Sequence, residues 1–115
     1  MKISEIRPDM TVDIKVRVLS MEQPRTVRSK RGMPLRVSEV MIGDSSGRIP
    51  LTLWQKQIYL VKLDDVIEIT NAWVSEYQGI TRVSLGRSGK LTVVDDPEFP
   101  SIHELLEDLR DNSQS

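Results

Sequence analysis

The stretch GDSSGRIPLTLW, which occupies residues 43–54, combines a turn with the strand that follows it. The segment at 43–47 is turn-forming, because glycine adopts positive φ without steric cost and Asp and Ser side chains bond the local backbone. The strand alternates two sets of side chains, the apolar Ile49, Leu51 and Leu53 and the polar or aromatic Arg48, Thr52 and Trp54. Since successive strand side chains point to opposite faces, Trp54 is predicted to project away from the aliphatic face.

Four other segments have the alternation or the β-branched content of strands, and a second tight connection at residues 76–79 separates the last two. They lie at residues 12–18, about 35–42, about 66–75 and 81–85. Residues 55–62 are expected to form a short helical turn, with apolar contacts from Ile58, Leu60 and Val61. Five strands with a short helix between the third and the fourth is the order of an OB barrel. The predicted fold is therefore all-β, a five-stranded OB-fold barrel followed by a short C-terminal α-helix.

The fourth predicted strand does not follow simple alternation. If Ile67 points into the core, strict period two also buries Asn71 and Trp73. A β-bulge near residues 70–71 would shift the register, turning Trp73 outward beside Trp54 and turning inward Ala72 and Val74. We predict that bulge. The alternative is a buried Trp73 that plugs one end of the barrel.

The formal charge of −1 conceals an uneven distribution. Residues 1–94 hold 15 Lys and Arg against 10 Asp and Glu, a balance of +5, whereas residues 95–115 hold 1 against 7, a balance of −6. Within the basic part, residues 22–36 carry five cations against the single Glu22. Such a field suits a polyanion, although the same charges would also keep a long hairpin soluble and its edges unpaired.

Length and composition restrict the class of protein. A chain of 115 residues supports one core, so residues 1–94 are predicted to form a single OB domain and residues 95–115 an acidic tail. The absence of cysteine excludes disulfides and thiolate metal sites and suits a reducing cytosol. No signal peptide or membrane span is visible, so a cytoplasmic protein without a membrane partner is expected.

The sequence offers little material for catalysis, and we predict neither an enzyme nor a cofactor. His103 is the only histidine, which leaves nothing for a catalytic triad or a histidine-rich metal site. The pairs at 64–65 and 95–96 are aspartates at strand boundaries, where carboxylates commonly end strand pairing. Residues 86–91 have the wrong glycine spacing for a phosphate loop and end in Leu91 instead of Ser or Thr.

The acidic tail contains a predicted helix over about residues 101–110. Ser101 and Glu104 form the pattern of a capping box. An apolar stripe follows at helical spacing, made by Ile102, Leu105, Leu106 and Leu109. So short a helix must dock somewhere. Docking on its own barrel, self-association and capture by a replication or repair protein remain open, and the tail's charge would also let it compete for the basic groove.

Two blocks of this sequence resemble the archaeal single-stranded DNA-binding proteins of the replication protein A type. They are residues 43–54, already quoted, and residues 65–73, which read DVIEITNAW, and the likeness runs from about Ile6 to Val94. It implies that bases stack on Trp54, Trp73 and Tyr77. It further implies that Arg36 lines the groove and that a loop closes over the bound DNA strand from one side. The residues of this loop are Arg25, Val27, Arg28 and Lys30. Two features depart from that family, Pro50 in the third strand and a tail without long glycine-rich runs.

The residues alone are consistent with this function, because every base has a π-face and every nucleotide a phosphate. The cations expected to bind phosphates are Lys15, Arg17, Arg28, Lys30, Arg36 and Arg82. Two alternatives remain at this stage. An RNA-binding OB module would use the same rings and charges, since nothing here must read or reject a 2′-hydroxyl. A protein-interaction OB subunit would use the aromatic surface to anchor a partner chain, without steep salt dependence.

Overall fold

The structure is a computed structural model, and it describes residues 1–107. It contains two short 3-10 helices, seven strands and the first turns of a C-terminal helix. The 3-10 helices are Ile3–Glu5 and Gln55–Leu60, and the C-terminal helix begins at residue 102. The strands are β1 Thr11–Met21, β2 Arg25–Arg28, β3 Pro34–Asp44, β4 Gly47–Trp54, β5 Val66–Tyr77, β6 Ile80–Ser84 and β7 Lys90–Val94.

Five of the strands close into a barrel in the order β1-β3-β4-β6-β5, with β5 pairing back to β1. All of these pairs are antiparallel except β4 with β6, which is parallel. This connectivity confirms the predicted OB fold. The sequence did not predict the other two strands. In the connection from β1 to β3, β2 forms a hairpin with β3. β7 pairs with residues 66–70 of β5, whereas β6 pairs with residues 73–77 of the same strand.

Alternating apolar side chains fill the barrel, as the sequence pattern predicts. Opposed pairs across β3 and β4 point inward together, for example Val40 with Leu51 and Ile42 with Ile49. Hydrophobic side chains that leave water in this way contribute roughly 25 cal/mol for each Å² buried. The 3-10 helix at Gln55–Leu60 adds Ile58 to the core, with Val61 just beyond it. Leu60 is exposed, so its predicted apolar contact is wrong.

The turn between β3 and β4 is a two-residue connection held by Asp44. The Asp44 Oδ1 accepts hydrogen bonds from the Ser46 backbone N–H at 2.7 Å and from the Ser46 hydroxyl at 2.5 Å. The Asp44 Oδ2 accepts a third hydrogen bond from the Ile3 backbone N–H at 3.0 Å. One aspartate therefore fixes the turn and also ties the N-terminal 3-10 helix to it.

The predicted β-bulge in β5 is confirmed. Val12 pairs with Ala72 and Ile14 with Ile69, so β5 spends three residues where β1 spends two. Asn71 lies in the bulge with φ of 54°, and its backbone N–H donates to the Asp13 Oδ1 at 2.7 Å. The register shift buries Ala72 completely and leaves Trp73 outside the barrel, as expected, so the alternative of a buried Trp73 is excluded.

The acidic segment after β7 lies against the outer side of β1. Arg17 donates from Nε to the Pro100 carbonyl at 2.6 Å and from Nη2 to the Phe99 carbonyl at 2.9 Å. Its guanidinium also lies 5.7 Å from the centroid of the Phe99 ring, within the range of a cation–π interaction. Arg17 thus anchors residues 99–100 to the barrel.

Ser101 caps the start of the C-terminal helix as predicted, but only half of the predicted capping box forms, because the Glu104 carboxylate accepts from the Ser101 hydroxyl and not from its backbone N–H. The Ser101 hydroxyl accepts from the Glu104 backbone N–H at 3.1 Å and donates to the Glu104 Oε1 at 3.2 Å. Leu105 is fully buried, while Ile102 is half-buried and Leu106 is exposed. Burial of Leu105 within the single chain favours docking of this helix on its own barrel. Leu109 and the predicted helix end near residue 110 lie outside the described residues.

Candidate nucleic-acid interface

Three exposed aromatic side chains project from the same outer face of the barrel. Trp54 is 39% exposed, Trp73 is 42% exposed and Tyr77 is 64% exposed. Trp73 and Tyr77 belong to β5 and are separated by an even number of residues, so they point the same way beyond the bulge. Trp54 ends β4, where the apolar residues Leu51 and Leu53 point inward. A tight turn at residues 78–79, in which Gln78 and Gly79 have positive φ, follows Tyr77.

The strand register gives the spacing of these rings. Thr52 on β4 is level with Ser84 on β6, and Ser84 with Trp73 on β5. Trp54 is therefore two strands and two residues away from Trp73, about 12 Å between backbones, and Tyr77 is about 13 Å farther along β5. The three rings follow a diagonal across the face from the β5–β6 turn to the end of β4. An extended polymer with a flat group in every unit is the type of ligand that fits this arrangement.

The basic hairpin of β2 and β3 adjoins the Trp54 end of this diagonal. Arg25 pairs with Val37, and Val37 pairs in turn with Trp54 on β4. Arg25, Arg28 and Lys30 are exposed, and Val27 is half-buried between them. Within residues 1–107 none of these three cations forms an ion pair, and Arg28 donates only to the Gly32 carbonyl at 3.3 Å. The hairpin therefore carries positive charge that an anionic ligand can neutralise.

Arg36 lies where this hairpin meets the end of β4. Its Nη1 donates to the Tyr59 hydroxyl at 3.0 Å, and its backbone N–H donates to the Gln55 Oε1 at 3.2 Å. Among the described residues the partners of Arg36 are thus neutral, and its charge remains available. Tyr59 is absent from the sequence-based site, because a helical turn at residues 55–62 does not reveal which of its side chains turns toward β3.

Arg82 lies on the aromatic face but its charge is neutralised. Its guanidinium Nη1 forms an ion pair with the Glu39 carboxylate of β3, on the far side of β4. The Arg82 Nε is buried and has no hydrogen-bond partner among the described residues. Glu39 was not singled out in the sequence, because an acidic residue within a strand gives no sign of which neighbouring strand will carry its partner.

Lys15 and Arg17 are not brought together with the rings. They lie about 13 Å and 20 Å along β1 from Thr11, the residue that pairs with Trp73. Lys15 forms an ion pair of 2.5 Å with Asp96, and Arg17 binds the tail and Asp64. A hydrogen bond from Lys15 lowers the pKa of the Asp96 carboxyl below its ordinary value, and the same bond raises the pKa of Lys15. Both cations therefore bind the acidic tail in this structure.

Two kinds of feature are absent from the part of the chain that the structure describes. Residues 1–107 hold no group of three or more His, Asp or Glu side chains arranged to bind a metal ion. None of their helices is both long enough and apolar enough to cross a membrane.

Comparison with known proteins identifies relatives of this chain. Residues 6–93 match the family model described as single-stranded DNA-binding protein Ssb-like, OB fold. The single-stranded DNA-binding protein Ssb of Saccharolobus solfataricus is 32% identical over 107 residues, which cover 92% of this chain and 72% of that protein. Replication factor A of Methanothermobacter thermautotrophicus is 24% identical over 111 residues, 93% of this chain but 14% of that protein.

Solved structures with this fold include a replication protein A heterotrimer bound to single-stranded DNA. The match has a TM-score of 0.72 and 23% sequence identity, and it covers 88% of this chain and 26% of the matched chain. At that identity the likeness concerns the fold. This chain thus corresponds in length to most of the Saccharolobus protein and to one part of the larger replication proteins.

Proposed function

This chain belongs to the Ssb-like family of OB-fold single-stranded DNA-binding proteins, and from that premise we propose that it binds single-stranded DNA with little sequence preference. The observation that carries the proposal is the diagonal of three exposed rings, Trp54, Trp73 and Tyr77, on one face of the barrel. Bases stack on these rings while the flanking phosphates meet the basic hairpin. Bound in this way, the protein protects single strands during replication, recombination or repair.

Stacking supplies the sequence-tolerant part of the affinity. Each base on an aromatic ring contributes roughly 1–3 kcal/mol, so three rings contribute several kcal/mol before the cost of ordering the strand is subtracted. Trp54 and Trp73 are held by strand backbone on rigid elements, which reduces the ordering cost on the protein's side. Duplex DNA is a poor competitor, because its bases are stacked on one another and cannot reach the rings.

Phosphate contacts supply the salt-dependent part. Four cations of the sequence-based site lie on the basic hairpin of β2 and β3 and have no carboxylate partner among the described residues, namely Arg25, Arg28, Lys30 and Arg36. On a single strand each neutralised phosphate lowers log K by about 0.7 per tenfold increase in salt. Four contacts therefore predict a slope near −2.8 and an affinity loss of about fiftyfold for a fourfold rise in salt.

Tryptophan fluorescence gives a direct test, because both indoles lie in the proposed site. The protein is titrated with single-stranded DNA, with single-stranded RNA of the same sequence and with duplex DNA, at two salt concentrations. The proposal expects quenching by single-stranded DNA, weak competition by duplex and the slope given above. Unquenched fluorescence throughout contradicts it, and tighter binding of RNA assigns the face to RNA instead.

The proposed activity is binding without catalysis. We place it in the cytoplasm, since a chain without cysteine suits a reducing compartment.

The C-terminal helix offers a second contact, through its exposed Leu106, for self-association or for a replication or repair protein. Deletion of residues 97–115 followed by mass measurement in solution tests self-association. A smaller assembly after deletion supports it, whereas an unchanged monomer assigns the helix to its own barrel.

A further inference from the structure

A pocket of about 550 Å³ opens where β4 turns into the 3-10 helix at Gln55–Leu60. Such a volume lies within the range of sites that hold small organic groups. Its lining residues are two aromatic, two amide and two cationic side chains: Trp54, Tyr59, Gln55, Gln57, Arg36 and Lys56. Since Trp54 belongs both to this pocket and to the diagonal of rings, the pocket is continuous with the proposed interface.

The two glutamines are fixed so that their amide nitrogens remain available. The Gln57 Oε1 accepts from the Trp54 backbone N–H at 3.0 Å, and the Gln55 Oε1 accepts from the Arg36 backbone N–H at 3.2 Å. With each oxygen occupied by a backbone donor, each NH₂ group is the end left to bind a ligand. Gln55 has φ of 56°, a conformation that its hydrogen bond to Arg36 helps to hold.

The hydrogen-bonding groups that line the pocket are almost all donors. Lys56 and Arg36 add an ammonium and a guanidinium to the two amide NH₂ groups, and no carboxylate of residues 1–107 lines the pocket. The Tyr59 hydroxyl accepts from the Arg36 Nη1 at 3.0 Å, so Tyr59 is held by the pocket's own donor. An occupant of complementary chemistry presents acceptors and carries negative charge nearby.

Tyr59 itself has the position of a stacking ring and not of a core residue. It is 68% exposed, whereas its neighbour Ile58 is buried in the barrel core. The hydrogen bond to Arg36 restrains this otherwise free phenol. Binding against a restrained ring costs less entropy than binding against a mobile ring, because less side-chain motion is lost. A stacking platform requires a ring that is restrained in this way.

We propose that this pocket binds one further nucleobase of the same strand, stacked on Tyr59, and that it prefers the keto bases thymine and guanine. Thymine presents O4 and guanine presents O6 and N7 as acceptors, whereas cytosine and adenine present an amino donor at the corresponding position. Donors from Gln55, Gln57 and Arg36 match the former pair and conflict with the latter. The inference rests on the proposed function and adds a fourth ring at the Trp54 end of the diagonal.

Substitution of Tyr59 tests the subsite apart from the rest of the face. Anisotropy of labelled oligothymidylate is measured with Tyr59→Ala, with Trp73→Ala and with Leu63→Ala, an exposed side chain that does not line the pocket. Tyr59→Ala is expected to weaken binding by at least fivefold relative to Leu63→Ala, the lower end of the effect of one stacked base. Tyr59→Phe keeps the ring and loses the hydrogen bond that restrains it, so it is expected to bind less tightly than the parent but more tightly than Tyr59→Ala.

Base preference is read from the ratio of affinities for oligothymidylate and oligocytidylate of equal length. Gln57→Glu keeps the oxygen that accepts from the Trp54 N–H and replaces the NH₂ donor with an acceptor, so it is expected to lower or invert that ratio. Using a ratio cancels the general repulsion that the added charge exerts on phosphates. Tyr59→Ala is expected to bring the ratio toward one.

The outcomes separate the two proposals. If the parent binds and Trp73→Ala weakens binding while Tyr59→Ala matches Leu63→Ala, the pocket is not a subsite and the general function still holds. Weakening by Tyr59→Ala with an unchanged thymidine preference in Gln57→Glu overturns the keto-base assignment. A parent that binds no oligonucleotide overturns the proposed function itself.

Discussion

Arg82 on β6 and Glu39 on β3 form an ion pair that spans β4 on the same outer face as the three rings. Both side chains are about three-quarters buried, with 28% and 23% of their surfaces exposed. The pair places a carboxylate within a surface that is proposed to bind a polyanion. It also occupies an arginine that would otherwise be available to a phosphate, and the buried Nε of that arginine has no partner among the described residues.

Replacing Glu39 with Gln is expected to increase the affinity for single-stranded DNA. The substitution removes a negative charge from the face and releases the Arg82 guanidinium to bind a phosphate. One additional phosphate contact steepens the salt dependence by about 0.7 in log K per tenfold change in salt. The measurement is anisotropy of a labelled oligonucleotide over a series of salt concentrations.

The matched control for this change is Glu107→Gln, which removes the same charge from the C-terminal helix. Only the general reduction in negative charge is shared by the two variants. If Glu39→Gln binds no more tightly than this control, or with the parental salt slope, then Arg82 is not a latent phosphate ligand and the pair is purely structural.

Replacing Trp73 with Ala is expected to weaken DNA binding while the protein remains folded. The loss of one stacked base corresponds to roughly 1–3 kcal/mol of binding free energy, or about fivefold to somewhat over a hundredfold in Kd. Because Trp73 lies outside the barrel core and is 42% exposed, its truncation is expected to lower the free energy of unfolding by less than the roughly 3–5 kcal/mol that truncation of a fully buried tryptophan costs. Binding is followed by anisotropy and stability by urea unfolding. A variant with parental affinity would remove Trp73 from the interface.

The bulge at Asn71 shows how much of this site the sequence reveals. Alternation from Ile67 conflicts with a solvent-facing Trp73, and one extra residue resolves the conflict, so the bulge and the direction of the ring were predictable. The neighbouring Asp13 was not, because its hydrogen bond to the Asn71 N–H joins residues 58 positions apart in sequence. Local periodicity reveals which way a side chain points, and tertiary register decides what it meets.

The charged residues illustrate the same limit. Lys15, Arg17 and Arg82 have the charge expected of phosphate ligands, yet each has an acidic partner in the folded chain. Those partners come from another strand, from the turn before β5 or from the tail, at sequence separations that no local pattern reports. β7 was not predicted either, because no local pattern reports that residues 90–94 pair with β5. The loop of residues 86–89 that leads to β7 is so tight that a Cβ on Gly89 would lie 2.2 Å from the Leu85 carbonyl oxygen.

Replacing Asn71 with Val is expected to destabilise the protein and to weaken DNA binding together. A β-branched residue at positive φ is strained by about 1–3 kcal/mol, and relief of that strain by a shift in register would turn Trp73 away from the face. Asn71→Gly accommodates the same φ and serves as the control. Thermal unfolding and oligonucleotide affinity are measured for both. Parental binding by a folded Asn71→Val variant would show that the bulge does not orient the ring.

The contact between Lys15 and Asp96 is expected to hold the tail against β1 only within a window of pH. Asp96 has a lowered pKa in the folded chain, so its contribution is present above the ordinary carboxyl pKa of 3.8 and is lost as the pH falls through the lowered value. Lys15 has a raised pKa, so its contribution is present below the ordinary value of 10.5 and is lost as the pH rises through the raised value. The tail is therefore most firmly held from weakly acidic to weakly alkaline pH.

Hydrogen exchange at residues 95–105, referred to the amides of the barrel strands, measures this attachment. The parent is expected to lose protection in the tail before the barrel as the pH falls below about 4, after correction for the intrinsic exchange rate. The neutral amide of Asp96→Asn cannot form an ion pair with Lys15. The tail of this variant is therefore expected to be less protected than the parent's already at pH 7, and its protection is expected to change less on acidification. Asp95→Asn removes an adjacent carboxylate that has no ion pair in the described part of the chain. Equal protection in Asp96→Asn and Asp95→Asn would mean that the contacts of Arg17 with Phe99 and Pro100 hold the tail without help from Lys15.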